Sequence, residues 1–182
     1  MFKLFNKTLS VQKHITPTQP QRSDADFIAL GSTLRQKIGG IFSGSLSVYV
    51  VGTGSTNAEE QELLALGTAY YDIERFGVHF VATPRHADML IVTGPVSRNM
   101  AEALKKSYDA TPEPKIVVAL GDDAIDGGIF KGSYGVHDGA KKVIPVHYTI
   151  PGDPPSPTTV LSSLVAILAD IEQNGLPQPK TI

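Results

Sequence analysis

The stretch Met89-Leu90-Ile91-Val92-Thr93-Gly94 is a short, continuously apolar run that ends at a glycine. A run of this length, closed by a turn residue, is typical of a strand that is buried on both faces of a sheet. Similar runs predict further strands at Leu46–Val51, Val78–Ala82, Ile116–Leu120 and Val143–His147. Helical patterns predict helices at Glu59–Leu66, Met100–Tyr108 and Thr158–Gln173. The alternation of predicted strands and predicted helices along the chain predicts an α/β fold with a parallel sheet and helices on both faces.

The chain divides into three predicted parts. Residues 1–22 are polar with interspersed apolar residues and predict an N-terminal arm. Residues 23–40 predict an amphipathic helix, because Phe27, Leu34 and other apolar residues recur at helical spacing. Residues 41–182 form the predicted α/β domain. The helix either lies on a membrane or membrane subunit, or packs on its own domain; the pattern fits both.

Composition excludes several classes of function. The net charge is −2 with no basic stripe, so no nucleic-acid partner is expected. No run of about eighteen apolar residues is present to span a membrane, and the N-terminus does not read as a secretion signal. The chain has no cysteine, which excludes disulfides, thiolate zinc sites and cysteine-ligated clusters. Cytoplasmic residence is therefore the expectation.

Three acidic loops follow predicted strands, and parallel strands bring such loops together at their carboxyl ends. Glu59, Asp123 and Asp153 lie in these loops. Carboxylates are hard oxygen ligands, so one hypothesis is a divalent-cation site for Mg²⁺ or Ca²⁺, with hydrolytic chemistry. The alternative is that these acids are solvated or face basic groups of a partner. A nucleotide site is disfavoured, because Gly52-Thr53-Gly54 lacks the third glycine of the dinucleotide fingerprint.

Arg85 and His86 form the most prominent polar pair outside the acidic loops, at a predicted strand-to-strand connection. Arg85 is interpreted either as a partner of a loop acid, at an interface, or as half of a structural ion pair. No G-x-S-x-G nucleophile motif occurs in the chain, so no catalytic residue is assigned.

Six short motifs from about residue 34 to residue 170 together resemble one family. They are Tyr71–Gly77, Thr83–Asp88, Val92–Val96, Pro112–Lys115, Gly127–Phe130 and Ile150–Pro157. The chain is similar to the iron–sulfur small subunit that respiratory complex I shares with membrane-bound nickel–iron hydrogenases of the formate hydrogenlyase type. The resemblance implies a flavodoxin-like version of the α/β fold predicted above.

The resemblance also implies where a 4Fe–4S cluster would be bound. The family holds its cluster with four cysteines, in C-x-x-C-[DE]-x-E, before Gly-Gly-[IV]-Phe and in Pro-Gly-Cys-Pro-Pro. The corresponding residues here are Thr56, Glu59, Asp123 and Asp153, none of which carries sulfur. Fe–S clusters are held mainly by thiolates, so we expect no cluster and no other cofactor. The family's two acids, the second close to the proton path of its large subunit, are retained as Glu60 and Glu62.

These losses predict a non-redox subunit of a membrane-associated complex. The expected role is a structural adaptor between a large catalytic-subunit homologue and an ion-translocating membrane subunit. The expected location is then the inner face of the cytoplasmic membrane, with attachment through the other subunits. The alternatives are a metal-binding α/β protein, a homologue that still serves as an electron-transfer subunit of an NADH:quinone oxidoreductase or hydrogenase, and an engineered, cysteine-stripped electron carrier.

Overall fold

The computed structural model describes residues 24–177 of the chain, so the N-terminal arm predicted at residues 1–22 lies outside the described residues. Within these described residues, five parallel strands form one sheet: β1 (Leu46–Gly52), β2 (Val78–Phe80), β3 (Met89–Thr93), β4 (Ile116–Leu120) and β5 (Tyr148–Ile150). Their order is β2-β1-β3-β4-β5, which is the flavodoxin-like order. The predicted α/β fold is therefore confirmed. Strands β3 and β4 are buried at every residue, as their continuous apolar sequence predicts.

In the described part of the chain, five α-helices surround the sheet: α1 (Asp24–Ile41), α2 (Ala58–Leu66), α3 (Ala101–Ala110), α4 (Asp122–Asp126) and α5 (Pro157–Asn174). Helices α1, α2 and α5 bury apolar side chains with one face of the sheet. Helix α3 and the segment from α4 to residue 146 cover the other face. The start of α5 is fixed by Ser156, which accepts a hydrogen bond from the Thr159 backbone N–H and precedes a proline at the first helical position.

Helix α1 packs on its own domain. Leu34 and Ile38 are fully buried in the core that the sheet shares with α5. The Phe27 ring lies 5.2 Å from the Tyr71 ring and 6.1 Å from the Phe76 ring, measured between centroids. Of the two interpretations of this helix, packing on the domain is the one observed. Within residues 24–177, no helix has both the length and the hydrophobicity of a membrane span.

The strand predicted at Val143–His147 is wrong, because the fifth strand is Tyr148–Ile150. Pro145 has no backbone N–H to give to a neighbouring strand. In addition, the Val117 backbone N–H donates to Nδ1 of His147 at 3.0 Å, so a side chain takes the place of a ladder acceptor. The ladder between β4 and β5 consequently begins only at Tyr148.

Candidate functional site

The loops that follow β1, β3, β4 and β5 meet at the carboxyl end of the sheet, as predicted. Backbone hydrogen bonds join the first pair of loops, since Thr53 donates to the carbonyl of Thr93 at 2.9 Å and accepts from Ser97 at 2.8 Å. The second pair is joined in both directions. Asp122 N–H donates to the Gly152 carbonyl, and Gly152 N–H donates to the Asp122 carboxylate, each at 3.0 Å.

The four residues at the family's ligand positions divide into a buried pair and an exposed pair. Glu59, in the first turn of α2, is fully buried, and Asp123, in α4, is 3% exposed. Thr56 and Asp153 are exposed in their loops. Each member of the buried pair lies in a different element, so tertiary packing brings the two carboxyl groups to the same region.

Two glycines allow the backbone to approach the buried carboxyl groups. A Cβ atom on Gly121, which has φ +88°, would lie 2.7 Å from Oε1 of Glu59. A Cβ atom on Gly128, which has φ +47°, would collide with Oδ1 of Asp123. Neither position has room for a larger side chain, and at Gly121 the backbone conformation itself favours glycine. The motif Gly127–Phe130 was noted in the sequence, but the closeness of these two glycines to the acids was not anticipated.

The surroundings of Glu59 disfavour a negative charge. Neither of its carboxyl oxygens has a hydrogen-bond partner in another residue among residues 24–177. Burial therefore raises the pKa of Glu59, and repulsion from Asp123, Glu60 and Asp153 raises the pKa further. The hydrogen bond from its own backbone N–H opposes this shift without reversing the direction.

Asp123 is in a similar environment. Burial is the largest cause that raises the pKa of its carboxyl group, followed by repulsion from Asp153. A hydrogen bond from the Ile129 backbone N–H lowers the pKa in part, and Asp122 and Asp126 raise it again. Among the described residues, the charged groups that shift the pKa of this carboxyl group are therefore all acids.

The two acids retained from the family are held differently. Glu60 is half-buried, and its Oε1 accepts hydrogen bonds from Ser55 Oγ and Thr93 Oγ1, each at 2.5 Å. These contacts tie α2 to the loop after β1 and to the last residue of β3. Glu62 is half-buried one turn from the start of α2. The structure therefore gives Glu60 a defined set of partners at the carboxyl end of the sheet.

Arg85 and His86 lie away from the acidic loops. Both are exposed in a 3₁₀ turn, Pro84–His86, that ends three residues before β3 begins and contacts α3. This turn is at the amino end of the sheet, whereas the acids lie beyond the carboxyl ends. Within residues 24–177 the structure does not bring Arg85 to a loop acid. A role of Arg85 and His86 at an interface stays a prediction.

The donor set does not fit an iron–sulfur cluster. Of the four ligand positions one carries a hydroxyl and three carry carboxyl groups, which are hard donors, whereas cluster iron is bound by soft sulfur. Packing agrees with this, because the Gly121 backbone lies directly against the Glu59 carboxyl group. In residues 24–177, moreover, no group of three or more His, Cys, Asp or Glu side chains is placed to hold a metal ion.

A groove of about 490 Å³ adjoins the acidic site through Glu60. Its walls come mainly from apolar side chains of β1, β2 and α2. They are Val48, Val50, Gly52, Glu60, Leu63, Leu64, Gly67, Thr68, Phe80 and Val81. This groove was not predicted from the sequence. The adjacent pair Leu63-Leu64 was a usable signal, because only one of two consecutive helical residues faces the core; Leu63 is buried and Leu64 is 64% exposed.

Comparison with known proteins identifies several relatives of this chain. The family model described as NADH ubiquinone oxidoreductase, 20 Kd subunit, matches residues 57–167, which is more than half of the chain. A probable membrane-bound hydrogenase subunit of Pyrococcus furiosus is 43% identical over 121 residues, covering 66% of this chain and 72% of that protein. Formate hydrogenlyase subunit 7 of Escherichia coli is 36% identical over 154 residues, and the match covers 85% of this chain but only 59% of that subunit.

A solved structure gives the same relationship at the level of coordinates. A chain of the membrane-bound sulfane sulfur reductase, described as an archaeal respiratory membrane complex, superposes with a TM-score of 0.64 at 32% sequence identity. The match covers 71% of this chain and 72% of that chain. The similarity therefore extends over most of the length of both chains.

Proposed function

The chain belongs to the NADH ubiquinone oxidoreductase 20 Kd subunit family, and we propose that it is a member without a redox cofactor. It is related to subunits of complex I, of membrane-bound hydrogenase and of the sulfane sulfur reductase. In the proposed role it joins a large catalytic-subunit homologue to an ion-translocating membrane subunit. It acts as a structural adaptor at the inner face of the cytoplasmic membrane and is attached there through those partners.

One observation carries the proposal. The family fold is retained, while Thr56, Glu59, Asp123 and Asp153 stand at the four ligand positions of a chain that contains no cysteine. Loss of one thiolate would leave three soft donors, but loss of all four leaves none. An electron carrier without its cluster has no route for electrons, so what this subunit can still contribute is its surface.

The surface supports an adaptor role. Among the described residues, five large apolar side chains are prominently exposed: Ile28, Leu64, Tyr70, Ile129 and Tyr134. Leu64 borders the groove beside the acidic site, and Ile129 follows the glycine that packs on Asp123. Apolar and aromatic residues are favoured at the centres of protein interfaces. The proposed large-subunit contact therefore includes the surface around Leu64 and Ile129.

The test is to isolate the complex from membranes of cells that express the tagged full-length chain with its neighbouring genes. We expect a large-subunit homologue and a membrane subunit to copurify, and we expect iron and sulfide to be absent at the stoichiometry of a cluster bound by this chain. Stoichiometric iron and sulfide assigned to this subunit would overturn the cofactor-free role. Recovery of the tagged chain from these membranes without a large-subunit homologue and a membrane subunit would overturn the adaptor role.

Two substitutions on the proposed contact surface and one control substitution elsewhere make the test specific to this surface. Leu64→Asp and Ile129→Asp place a charge on the proposed contact surface and are expected to reduce recovery of the large subunit. Lys105→Asp, on an exposed position of α3, is the control and is expected to leave recovery unchanged. Equal loss in all three variants would indicate a general effect of charge and would contradict the proposed contact surface.

The alternative of a divalent-cation enzyme has less support. Glu59 has no solvent-accessible carboxyl oxygen, and Thr56 and Asp153 are exposed on separate loops. The described residues also contain no site with enough converging ligands for a metal ion. The family relationship gives no reason to prefer hydrolytic chemistry.

A further inference from the structure

The groove beside the acidic site has the size and the lining of a binding site. Val48 and Val50 of β1 and Phe80 of β2 contribute apolar side chains to its wall, and its volume is about 490 Å³. Leu64 of α2 also lines the groove and is 64% exposed. Pockets of this volume bind drug-sized ligands, and several apolar side chains of a peptide segment occupy a similar space.

Glu60 adds an acidic group to this apolar groove. Its Oε1 already accepts hydrogen bonds from the hydroxyl groups of Ser55 and Thr93. The other carboxyl oxygen, Oε2, is buried and has no hydrogen-bond partner among residues 24–177. A buried carboxyl oxygen without a donor is unfavourable. The groove is therefore suited to an apolar segment that also brings a cationic hydrogen-bond donor.

The N-terminal arm, residues 1–22, has the complementary composition. It contains Lys3, Lys7, Lys13 and Arg22 and no Asp or Glu. The whole chain has a net charge of −2, so the arm carries +4 and the remainder of the chain carries −6. Opposite charges favour contact between the arm and the acidic end of the sheet. Large apolar residues stand beside the first lysine: Phe2, Leu4 and Phe5.

The position of α1 gives the arm access to the groove. The Phe27 ring, in the first turn of α1, lies 5.2 Å from the Tyr71 ring, and Tyr71 follows the groove residue Thr68 by three positions. An extended chain spans about 3.3–3.6 Å per residue, so the roughly twenty residues between Lys3 and α1 are long enough to reach the groove. Attachment through α1 also gives the arm a high effective concentration at this surface, which favours it over a free partner.

We propose that the segment from Phe2 to Lys7 of this chain docks in the groove. Its apolar side chains cover the groove lining and Leu64, and an ammonium group from Lys3 or Lys7 pairs with Glu60. The proposal goes beyond the proposed function, because it concerns the chain before a large subunit is bound. The proposed large-subunit contact also includes Leu64, so the arm and the large subunit compete for one surface.

The absence of native cysteine allows a specific cross-linking test on the purified full-length chain. Asn6→Cys places a thiol in the docking segment, and Thr68→Cys places a second thiol on an exposed residue of the groove wall. A disulfide requires Cα atoms about 4.4–6.8 Å apart. Non-reducing mass spectrometry follows formation of the intramolecular disulfide under mild oxidation.

The matched control combines Asn6→Cys with Lys105→Cys, an exposed position on α3, which covers the opposite face of the sheet. We expect the disulfide with Thr68→Cys to form at least about tenfold faster than the disulfide with Lys105→Cys, because burial of even one large apolar side chain supplies a preference of this size. Equal rates for the two cysteine pairs would overturn the proposal.

Charge reversal in the arm tests the pairing with Glu60. Lys3→Glu combined with Lys7→Glu leaves the described residues unchanged and is expected to slow the cross-link to Thr68→Cys by about tenfold. The control reverses the same number of charges at Lys13 and Arg22, outside the docking segment, and should have a smaller effect. Equal effects of the two double substitutions would contradict docking of the segment that contains Lys3 and Lys7.

A change on the groove side completes the test. Leu64→Asp, at an exposed position, should also slow the cross-link, because it replaces an apolar contact of the arm with a negative charge beside Glu60. Cross-links that form only between two molecules would show a second copy in the groove and would overturn the proposal. Copurification with a large subunit tests the proposed function separately, so failure of one is distinguishable from failure of the other.

Discussion

Glu59 and Glu102 both lie in the first turn of a helix, yet their surroundings shift their pKa values in opposite directions. For Glu59 the largest cause is burial, which disfavours the charged form. For Glu102 it is a hydrogen bond from Lys106, which favours the charged form. The same residue type at the same helical position therefore has two different effects on stability.

Substitution of Glu59 by glutamine is expected to change how stability depends on pH. Because the pKa of Glu59 is raised in the folded chain, its protonation contributes stability that is fully present below the ordinary value of 4.5 and is lost as pH rises through the folded value. Glu59→Gln keeps the shape and removes the titration. The free energy of unfolding in urea, measured across this range, should fall with rising pH more steeply in the wild type than in the variant.

The matched control is Glu102→Gln, for which the sign is opposite. The pKa of Glu102 is lowered in the folded chain, so its contribution is present above the ordinary value and is lost as pH falls. The difference between wild type and Glu102→Gln should therefore appear on acidification. A wild-type stability that rises with pH relative to Glu59→Gln would contradict the environment described for Glu59.

Gly121 offers a second test at the scale of one residue. Gly121→Ala adds a Cβ atom 2.7 Å from Oε1 of Glu59 at a backbone with φ +88°. We expect a loss of about 1–3 kcal/mol in the free energy of unfolding, from backbone strain and the contact together. Gly39→Ala, in α1 with no atom within 4 Å of the new Cβ, is the control. It should be neutral or stabilise by up to about 1 kcal/mol, since alanine favours helix.

At the scale of elements, α1 is an integral part of the core. Leu34→Ala removes a fully buried side chain and is expected to destabilise the fold by about 2–5 kcal/mol. Leu64→Ala, at an exposed position of α2, should change stability by less than about 0.5 kcal/mol. Urea unfolding of both variants provides the measurement. If Leu34→Ala is as stable as the wild type, α1 does not contribute to the core, and the interpretation of α1 as a membrane-contacting helix is favoured.

The elements also show why part of the fold was predictable from sequence and part was not. Strands β3 and β4 were predicted at their observed bounds, because a continuous apolar run between turn residues is a local signal. The last strand was misplaced, because its start depends on a non-local contact, in which the His147 ring accepts the Val117 N–H. Pro145 within the apolar run was a local warning of the same error.

The candidate site divides in the same way. Convergence of the loops follows from the parallel sheet alone and was predicted. The burial of Glu59 and Asp123 was not, because it depends on how the backbone of Gly121 and Gly128 folds over them. The exposure of Asp153 could not be predicted either, because sequence spacing does not determine which loop residue faces outward.

At the scale of the whole molecule, the retained fold predicts that the lost cofactor can be restored. In the variant that combines Thr56→Cys, Glu59→Cys, Asp123→Cys and Asp153→Cys, four thiolates occupy loops that the sheet still brings together. We expect this variant to bind iron and sulfide in 4Fe–4S proportions after anaerobic reconstitution, as measured by metal analysis and visible absorbance. The control replaces the same four residues by serine and should bind neither.

The result for these two variants shows whether the loops still have the geometry that holds a cluster in the family. A folded cysteine variant that binds no iron would indicate that the loops have also lost the geometry of the family, beyond the loss of donors. Binding by the serine control would contradict the requirement for sulfur on which the cofactor-free role depends.

The sheet has a further consequence for assembly. Its two outermost strands, β2 and β5, have three residues each. Short outer strands give little free backbone for another chain to pair with, which is one way that proteins avoid uncontrolled polymerisation. Contacts with neighbouring subunits are therefore expected to come from helices and loops, and a continuous ladder running from this subunit into the next is not expected to form.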